Sequence, residues 1–516
     1  MSKQVVVKKA ATIRQEKLKV KYGSRSIAAA APIVIAGIAT ALASVGSTVV
    51  VARLLVPREY GALTQLLGLF FILSMPGSAL MVGVVQRVVH WNSSGENWRV
   101  KPWLLRVELV CFGFLMLFLV AIWLLQGDIA EALSLPNSRG VFETLTAGAL
   151  WVIVSVNRGV LQAGKTYRWL GWNLALEGII RTAFMIGLAA IGLGILGASS
   201  GIMIGEAAAL IHGIAGVSLS VGPGRRGNGS LDDRQVSLDD GQVLPGNSGT
   251  AGEQDGSMEV LKGDGAGGSE GELNDHTQEL PREGMSRVYT KPRVHGRREL
   301  AGDVVTAFAS LGLIAILQYA DVVMVGAYSP SHAGAYGAVS VSAKSLVAWT
   351  ILLTNYLLPE AAIRWRVGGH AINELRNTIV LAILPALLML AIALSVPSLF
   401  LGLAFGDKLE GAAPSFPYLT AAMAFLSITV IFSSYFFGVS WRGIPVVLFT
   451  GAVVLVSAIA AVHGRPLETA QMDLLCQLGI AAAMMIAFVV VHRRKRSLPA
   501  MIKTVTQGTQ ASGSIP

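Results

Sequence analysis

An all-α membrane protein of about twelve transmembrane helices, arranged as two six-helix lobes, is the fold class that this sequence predicts. Three observations carry the prediction. Only 14% of the 516 residues are charged, against about 25% in a soluble globular chain. Hydrophobic residues make up 53% and the mean hydropathy is +0.59. The apolar residues also fall into runs of the length that a bilayer demands, about 20 residues each. Too few polar groups remain to coat a soluble surface, which disfavours a soluble enzyme, a coiled coil or a disordered scaffold.

The expected spans of the first half are 28–51, 62–86, 103–126, 141–164, 170–196 and 199–220. Those of the second half are 303–327, 335–361, 377–404, 415–440, 443–463 and 470–491. Their continuous apolar character reads as helix, since barrel strands are about ten residues long and alternate. The first run follows a basic tail, residues 1–26, and is too long for the apolar core of a signal peptide. Residues 27–220 are thus the N-lobe, 300–492 the C-lobe and 493–516 a second tail.

Basic residues set the expected orientation. With the N-terminus in the cytoplasm, 32 of the 41 Lys and Arg fall in inner segments and 5 in outer loops. The latter are Arg53, Arg58, Arg139, Lys408 and Arg465; Arg106, Arg158, Arg181 and Lys344 lie within spans. That asymmetry follows the positive-inside rule and places both termini in the cytoplasm. The net charge of +10 then marks topology and does not point to nucleic acid.

Residues 221–299 interrupt the pattern. Between 221 and 298 there are 16 glycines, 10 basic and 13 acidic residues and one aromatic, Tyr289. Such a segment has little apolar surface to bury and is expected to be a disordered cytoplasmic linker between the lobes. The two cysteines, Cys111 and Cys476, sit in apolar runs and allow neither a disulfide framework nor a cysteine zinc site.

The halves echo each other. Pro57-Arg-Glu-Tyr-Gly61-Ala62 follows the first span, and Pro330-Ser-His-Ala-Gly334-Ala335 follows the seventh, at an offset of 273 residues. Gly159-Val-Leu-Gln-Ala-Gly164 closes the fourth span and Gly438-Val-Ser-Trp-Arg-Gly443 the tenth, at an offset of 279. Equal sidedness at equivalent places predicts a parallel repeat, with an axis along the membrane normal.

The segment Arg53-Leu-Leu-Val-Pro-Arg-Glu-Tyr-Gly61 resembles the signature after the first helix of the Wzx-type polysaccharide flippases, members of the MOP (multidrug/oligosaccharidyl-lipid/polysaccharide) exporter superfamily. Arg158–Gly164 resembles the end of their fourth helix, and Ala320–Gly326 with Pro330 and Gly334 their seventh helix and its loop. Phe405-Gly-Asp407 with Ala412-Ala-Pro414 resembles the loop before the tenth. The resemblance covers 28–220 and 300–492; the long linker departs from it. It implies a MATE-like lumen between two lobes, open alternately to each side. It also implies outward movement of a polyprenyl-pyrophosphate-linked oligosaccharide across the cell membrane for surface polysaccharide synthesis.

Ionisable residues within spans are costly, about 2.5–3.5 kcal/mol each on insertion scales, and usually face a cavity or a partner. Arg181 and Lys344 fall near the middle of spans five and eight, and Arg158 nearer the cytoplasmic end of span four. As lumen cations they would bind a pyrophosphate headgroup, arginine through its forked donors. Glu177 precedes Arg181 by four residues and can pair with it on one helix face. Lys344 has no carboxylate three or four residues away, so its partner is distant or is the cargo. Arg158 could equally snorkel to the interface. Glu206 and Asp321 are candidate proton carriers or charge partners, with Asp321 near enough to the outer end of its span to be solvated. Pro76 and Pro359 are candidate helix breaks beside a cavity.

No GxxxxGK[ST] loop is present, so direct ATP drive is not expected. The histidines form no metal motif, and no cofactor or enzymatic activity is expected. A proton or cation gradient remains the source of drive. Two other functions fit the span number: a MATE-like cation-coupled drug exporter, which would want acids in its first span, and a membrane glycan polymerase, which would want a large outer loop. A peptidoglycan-precursor flippase shares the implied fold but usually has fourteen spans.

Overall fold

The computed structural model describes residues 37, 39–220, 297–366, 372–439 and 441–511. The whole N-terminal tail 1–26, the start of the expected first span, nearly all of the expected linker and residues 512–516 lie outside the described residues. Thirteen helices follow in order among them. The first half contains α1 (Ala39–Leu54), α2 (Pro57–Ser93), α3 (Val100–Ala132), α4 (Val141–Ala163), α5 (Tyr167–Leu188) and α6 (Gly194–Ser220). The second contains α7 (Arg297–Tyr328), α8 (Ala333–Arg366), α9 (Ile372–Ser395), α10 (Pro397–Phe405), α11 (Phe416–Gly438), α12 (Ile444–Ala461) and α13 (Pro466–Ala511). No strand occurs among the described residues.

Among the described residues, ten helical stretches are long and apolar enough to cross a membrane. One of them, the 54-residue stretch Tyr167–Ser220, is bent back on itself into α5 and α6. The shorter apolar α1 supplies one more, and the total is then the twelve spans expected. The apolar side chains that no protein covers form a lipid-facing belt. On α3, Leu109, Phe114 and Leu117 are exposed; on α9, Leu384 and Leu388; on α12, Val446 and Phe449. In water this belt would be an aggregation surface. The chain is a multi-pass membrane protein.

Several boundaries differ from the sequence expectation, each for a local reason. The expected ninth span, 377–404, is two helices. Val396 leaves the helical region (φ −143°, ψ 52°) and Pro397 starts α10, because proline disfavours helical backbone at the residue before it. The α5–α6 break comes at Ala189–Leu193, earlier than 196/199, where Gly192 takes φ 91°. Only glycine adopts that backbone without a Cβ penalty. Neither Pro76 nor Pro359 ends its helix, as is tolerated in membrane-spanning helices. Finally, α13 runs as one helix to Ala511 with no break at 492. Hydropathy marks where a helix leaves the bilayer, not where it stops.

The packing repeats between the halves. In the first, α2 lies on α4, α4 on α6 and α5 on α6; in the second, α8 lies on α11, α11 on α13 and α12 on α13. The lobes meet chiefly along α2, which packs on both α7 and α8. At the α1–α2 end, the two motifs singled out as repeat partners touch each other. A Cβ on Gly61 would sit 2.6 Å from the Gly334 amide nitrogen, and one on Gly334 would overlap the Pro57 carbonyl oxygen. Thr64 fills the space beside Gly337, its equivalent at the same offset of 273 residues. A residue touches its own equivalent only beside a two-fold axis, so the pseudo-axis of a parallel repeat passes here. The same end is tied across the lobes by Arg53, whose Nε donates to Ala404 O at 3.2 Å and whose Nη2 donates to Leu403 O.

Candidate functional site

Among the described residues, each lobe holds one buried cluster of ionisable side chains. In the N-lobe the cluster joins α4, α5 and α6. Arg158 reaches from α4 to α5: its Nη2 donates to Glu177 Oε2 at 2.7 Å and its Nε to Asn173 Oδ1 at 2.7 Å. The guanidinium also lies 5.0 Å from the Trp151 ring centroid. Arg181 Nη1 donates to the other oxygen, Glu177 Oε1, at 3.0 Å. One carboxylate therefore bridges two arginines. Arg158 and Glu177 are buried, whereas the Arg181 side chain keeps 11% of its surface open. Glu206 is fully buried against Glu177, lies within Coulombic reach of Arg158 and Arg181, and neither arginine donates a hydrogen bond to it.

The C-lobe cluster joins α7, α8 and α13. Lys344 Nζ donates to Asp321 Oδ1 at 2.7 Å, and the Tyr336 hydroxyl donates to Asp321 Oδ2 at 3.1 Å. The ammonium stands 4.9 Å from the Tyr319 ring centroid. Tyr319 stacks in turn on Phe71 of α2, centroid to centroid 4.8 Å, across the lobe interface. Asp473 completes the cluster. Its Oδ1 accepts from Gln477 Nε2 at 3.0 Å, and that amide also donates to Leu317 O at 2.9 Å.

These distances sort the candidates taken from sequence. The helix-face pairing of Glu177 with Arg181 is present. Arg158 does not snorkel; it turns inward and shares Glu177. Lys344 finds its carboxylate on the neighbouring helix, 23 residues away along the chain, out of reach of any periodicity rule. Asp321 is not solvated: it is 0% exposed, because α8 and α13 cover its end of α7. Asp473, Asn173, Tyr336 and Gln477 were not identifiable beforehand. Asp473 stands at the fourth residue of the expected span 470–491, where hydropathy alone places it in the interfacial water.

A pocket of about 470 Å³ opens beside the N-lobe cluster, at the turn from α4 to α5. Lys165, Arg168, Trp169, Trp172 and His212 are among its walls. Trp169 packs on the His212 ring at 5.1 Å between centroids. His212 Nδ1 lies 3.4 Å from Asn173 Nδ2, so pocket and cluster are joined by side chains in sequence: His212, Asn173, Arg158, Glu177, Arg181. Among the described residues, no group of three or more His, Cys, Asp and Glu could hold a metal ion.

The arrangement of helices has solved counterparts. One is an inward-facing multidrug-resistance transporter of the MATE family in the MOP superfamily, with a TM-score of 0.55 and 9% identity over 89% of this chain and 99% of that one. The fold is that of the MOP-superfamily transporters. A mutant of the Vibrio cholerae MATE transporter VcmN matches at a TM-score of 0.55 with 11% identity, over 91% of this chain and 96% of that one. A MOP-superfamily transporter from Pyrococcus furiosus, described as having a binding pocket of reverse polarity that suggests a different function, matches at 0.53 with 11% identity, over 91% and 96%. Each of these neighbours is a transporter. No protein-family model matches the chain, and no curated protein sequence does.

Proposed function

We propose that this MOP-fold protein is a secondary transporter that moves a polyprenyl-pyrophosphate-linked oligosaccharide from the cytoplasmic to the outer leaflet. The lobes would rock about the interface along α2, exposing the site first to one side and then to the other. One observation carries the cargo class: the unbroken run of side chains from the cationic pocket to Arg181. The positive-inside count supports a cytoplasmic position for the α4–α5 turn. There Lys165 and Arg168 offer charge to a pyrophosphate, and Trp169 and Trp172 beside them are side chains of the type that favours a membrane interface. Arg181, the least buried member of the cluster, is held in place by Glu177 and keeps donors that could fork onto phosphate oxygens. The lipid tail would stay in the bilayer while the headgroup passes between the lobes. On this orientation the Gly61–Gly334 contact closes the outer end.

A MATE-like exporter of cationic drugs is the alternative reading. It would want acids open to the cargo, yet the described part of α1 contains none and the two acids of the C-lobe cluster, Asp321 and Asp473, are 0% exposed. A glycan polymerase has less support, since the connections at the Gly61–Gly334 end are short. Deleting the gene tests the proposal. Lipid-linked oligosaccharide should accumulate on the cytoplasmic leaflet, and the wild-type gene but not Arg181→Ala should restore export at equal protein level. Normal surface glycans together with raised sensitivity to cationic drugs would support the exporter instead.

A further inference from the structure

The C-lobe cluster is out of charge balance. It contains two carboxyl groups, Asp321 and Asp473, both 0% exposed, and one cation, Lys344. Asp321 satisfies both of its oxygens, on Lys344 and on Tyr336. Asp473 has a hydrogen bond on Oδ1 alone, and its Oδ2 has no partner among the described groups. It lies in Coulombic reach of both Asp321 and Lys344. Among the described residues no other ion is positioned to balance it. On its own helix the nearby titratable group is Cys476. From α7 it meets Asp321, and from α8 Lys344 and Tyr336. Helices α11 and α12 contribute no acid or base beyond the tyrosines of α11, and Asp407 and Lys408 on the turn after α10 are exposed. An uncompensated carboxylate in such a place costs several kcal/mol.

The smallest change that restores neutrality is one proton. A metal cation fits poorly, because hard cations take six or more oxygens and here the Lys344 ammonium already holds one oxygen of Asp321. The N-lobe differs, with two arginines for two acids.

We propose that Asp473, with Asp321 and Lys344, forms a proton-binding site in the C-lobe. Loading forms one O–H bond on the unpartnered Oδ2 of Asp473, and unloading returns that proton to water. The site reports to the lobe interface, since Lys344 lies against Tyr319 and Tyr319 stacks on Phe71 of the other lobe. Ionising Asp473 places a second anion beside Lys344, draws the ammonium from Asp321 and the Tyr319 face, and loosens that stack. Coupling of this proton to transport rests on the transporter reading above; the site itself does not.

Infrared difference spectroscopy on the full chain in lipid nanodiscs, titrated from acid to alkaline pH, tests the site without any cargo. The expected result is a protonated-carboxyl stretch near neutral pH that Asp473→Asn removes and Glu206→Gln leaves in place. Asp321→Asn should remove it too, because Lys344 is then free to balance Asp473, and this second variant covers the case in which the first does not fold. Superimposable wild-type and Asp473→Asn spectra, or a band lost in Glu206→Gln alone, would overturn the proposal. If the band behaves as expected while no lipid-linked glycan moves, the function is wrong and the site stands.

Discussion

Lys344 and Arg181 look alike as lone cations in apolar runs, but their surroundings predict different phenotypes. Lys344 is enclosed with Asp321, so Lys344→Met leaves a carboxylate buried without its cation and should cost about 3–5 kcal/mol. The double variant with Asp321→Asn should recover most of that loss, as read by thermal unfolding in detergent. Equal melting temperatures for single and double variants would show that the pair does not stabilise the fold. In the N-lobe, Arg158→Ala should lower the melting temperature more than Arg181→Ala, since Arg158 bonds both Asn173 and Glu177 while Arg181 bonds Glu177 at the open end of the chain. The reverse order would remove the argument that Arg181 is the member available to cargo. Legibility at this scale was uneven. A charge in an apolar run is conspicuous, and an acid four residues from an arginine predicts its own pairing. The partner of Lys344 was illegible because it sits on another helix, and so was the burial of Asp473, which depends on how α13 seats against α7.

Among the elements, the meeting of α2 and α8 makes the sharpest prediction. The close approach of Gly61 to Gly334 leaves no room for a side chain, so Gly334→Val must push the two helix starts apart. In a background lacking Cys111 and Cys476, a cysteine at Thr64 should then become reactive to a membrane-impermeant thiol reagent added outside, while remaining protected when Gly334 is kept. Equal labelling of both proteins would show that this contact does not seal the end. At Gly192, where φ is 91°, Gly192→Ala should cost about 1–2 kcal/mol through left-handed backbone strain. A neutral effect on the melting temperature would place the α5–α6 reversal elsewhere. Proline at 397 and glycines at 192 and 194 were visible signals for these breaks. Their exact positions were not, because hydropathy averages over a window longer than the turn itself.

For the whole molecule, two short motifs 273 residues apart were enough to suggest a parallel repeat, and their mutual contact explains why both are glycine. Fold class and lobe order were therefore readable from composition, run length and one internal echo. Cargo was not, because it depends on which charges remain open after the lobes pack, and three of the six candidate ionisable residues turned out to be one another's partners in a single bridge. Reconstitution tests the central claim most directly. Purified protein in sealed liposomes would be given a polyprenyl-pyrophosphate-linked oligosaccharide in the leaflet that carries the α4–α5 turn, and its arrival in the opposite leaflet followed by accessibility to a sugar-modifying enzyme. The account predicts transfer by the wild-type chain and its loss in Arg181→Ala. Wild-type liposomes that leave the glycan lipid where it was placed, yet move a cationic dye, would contradict it.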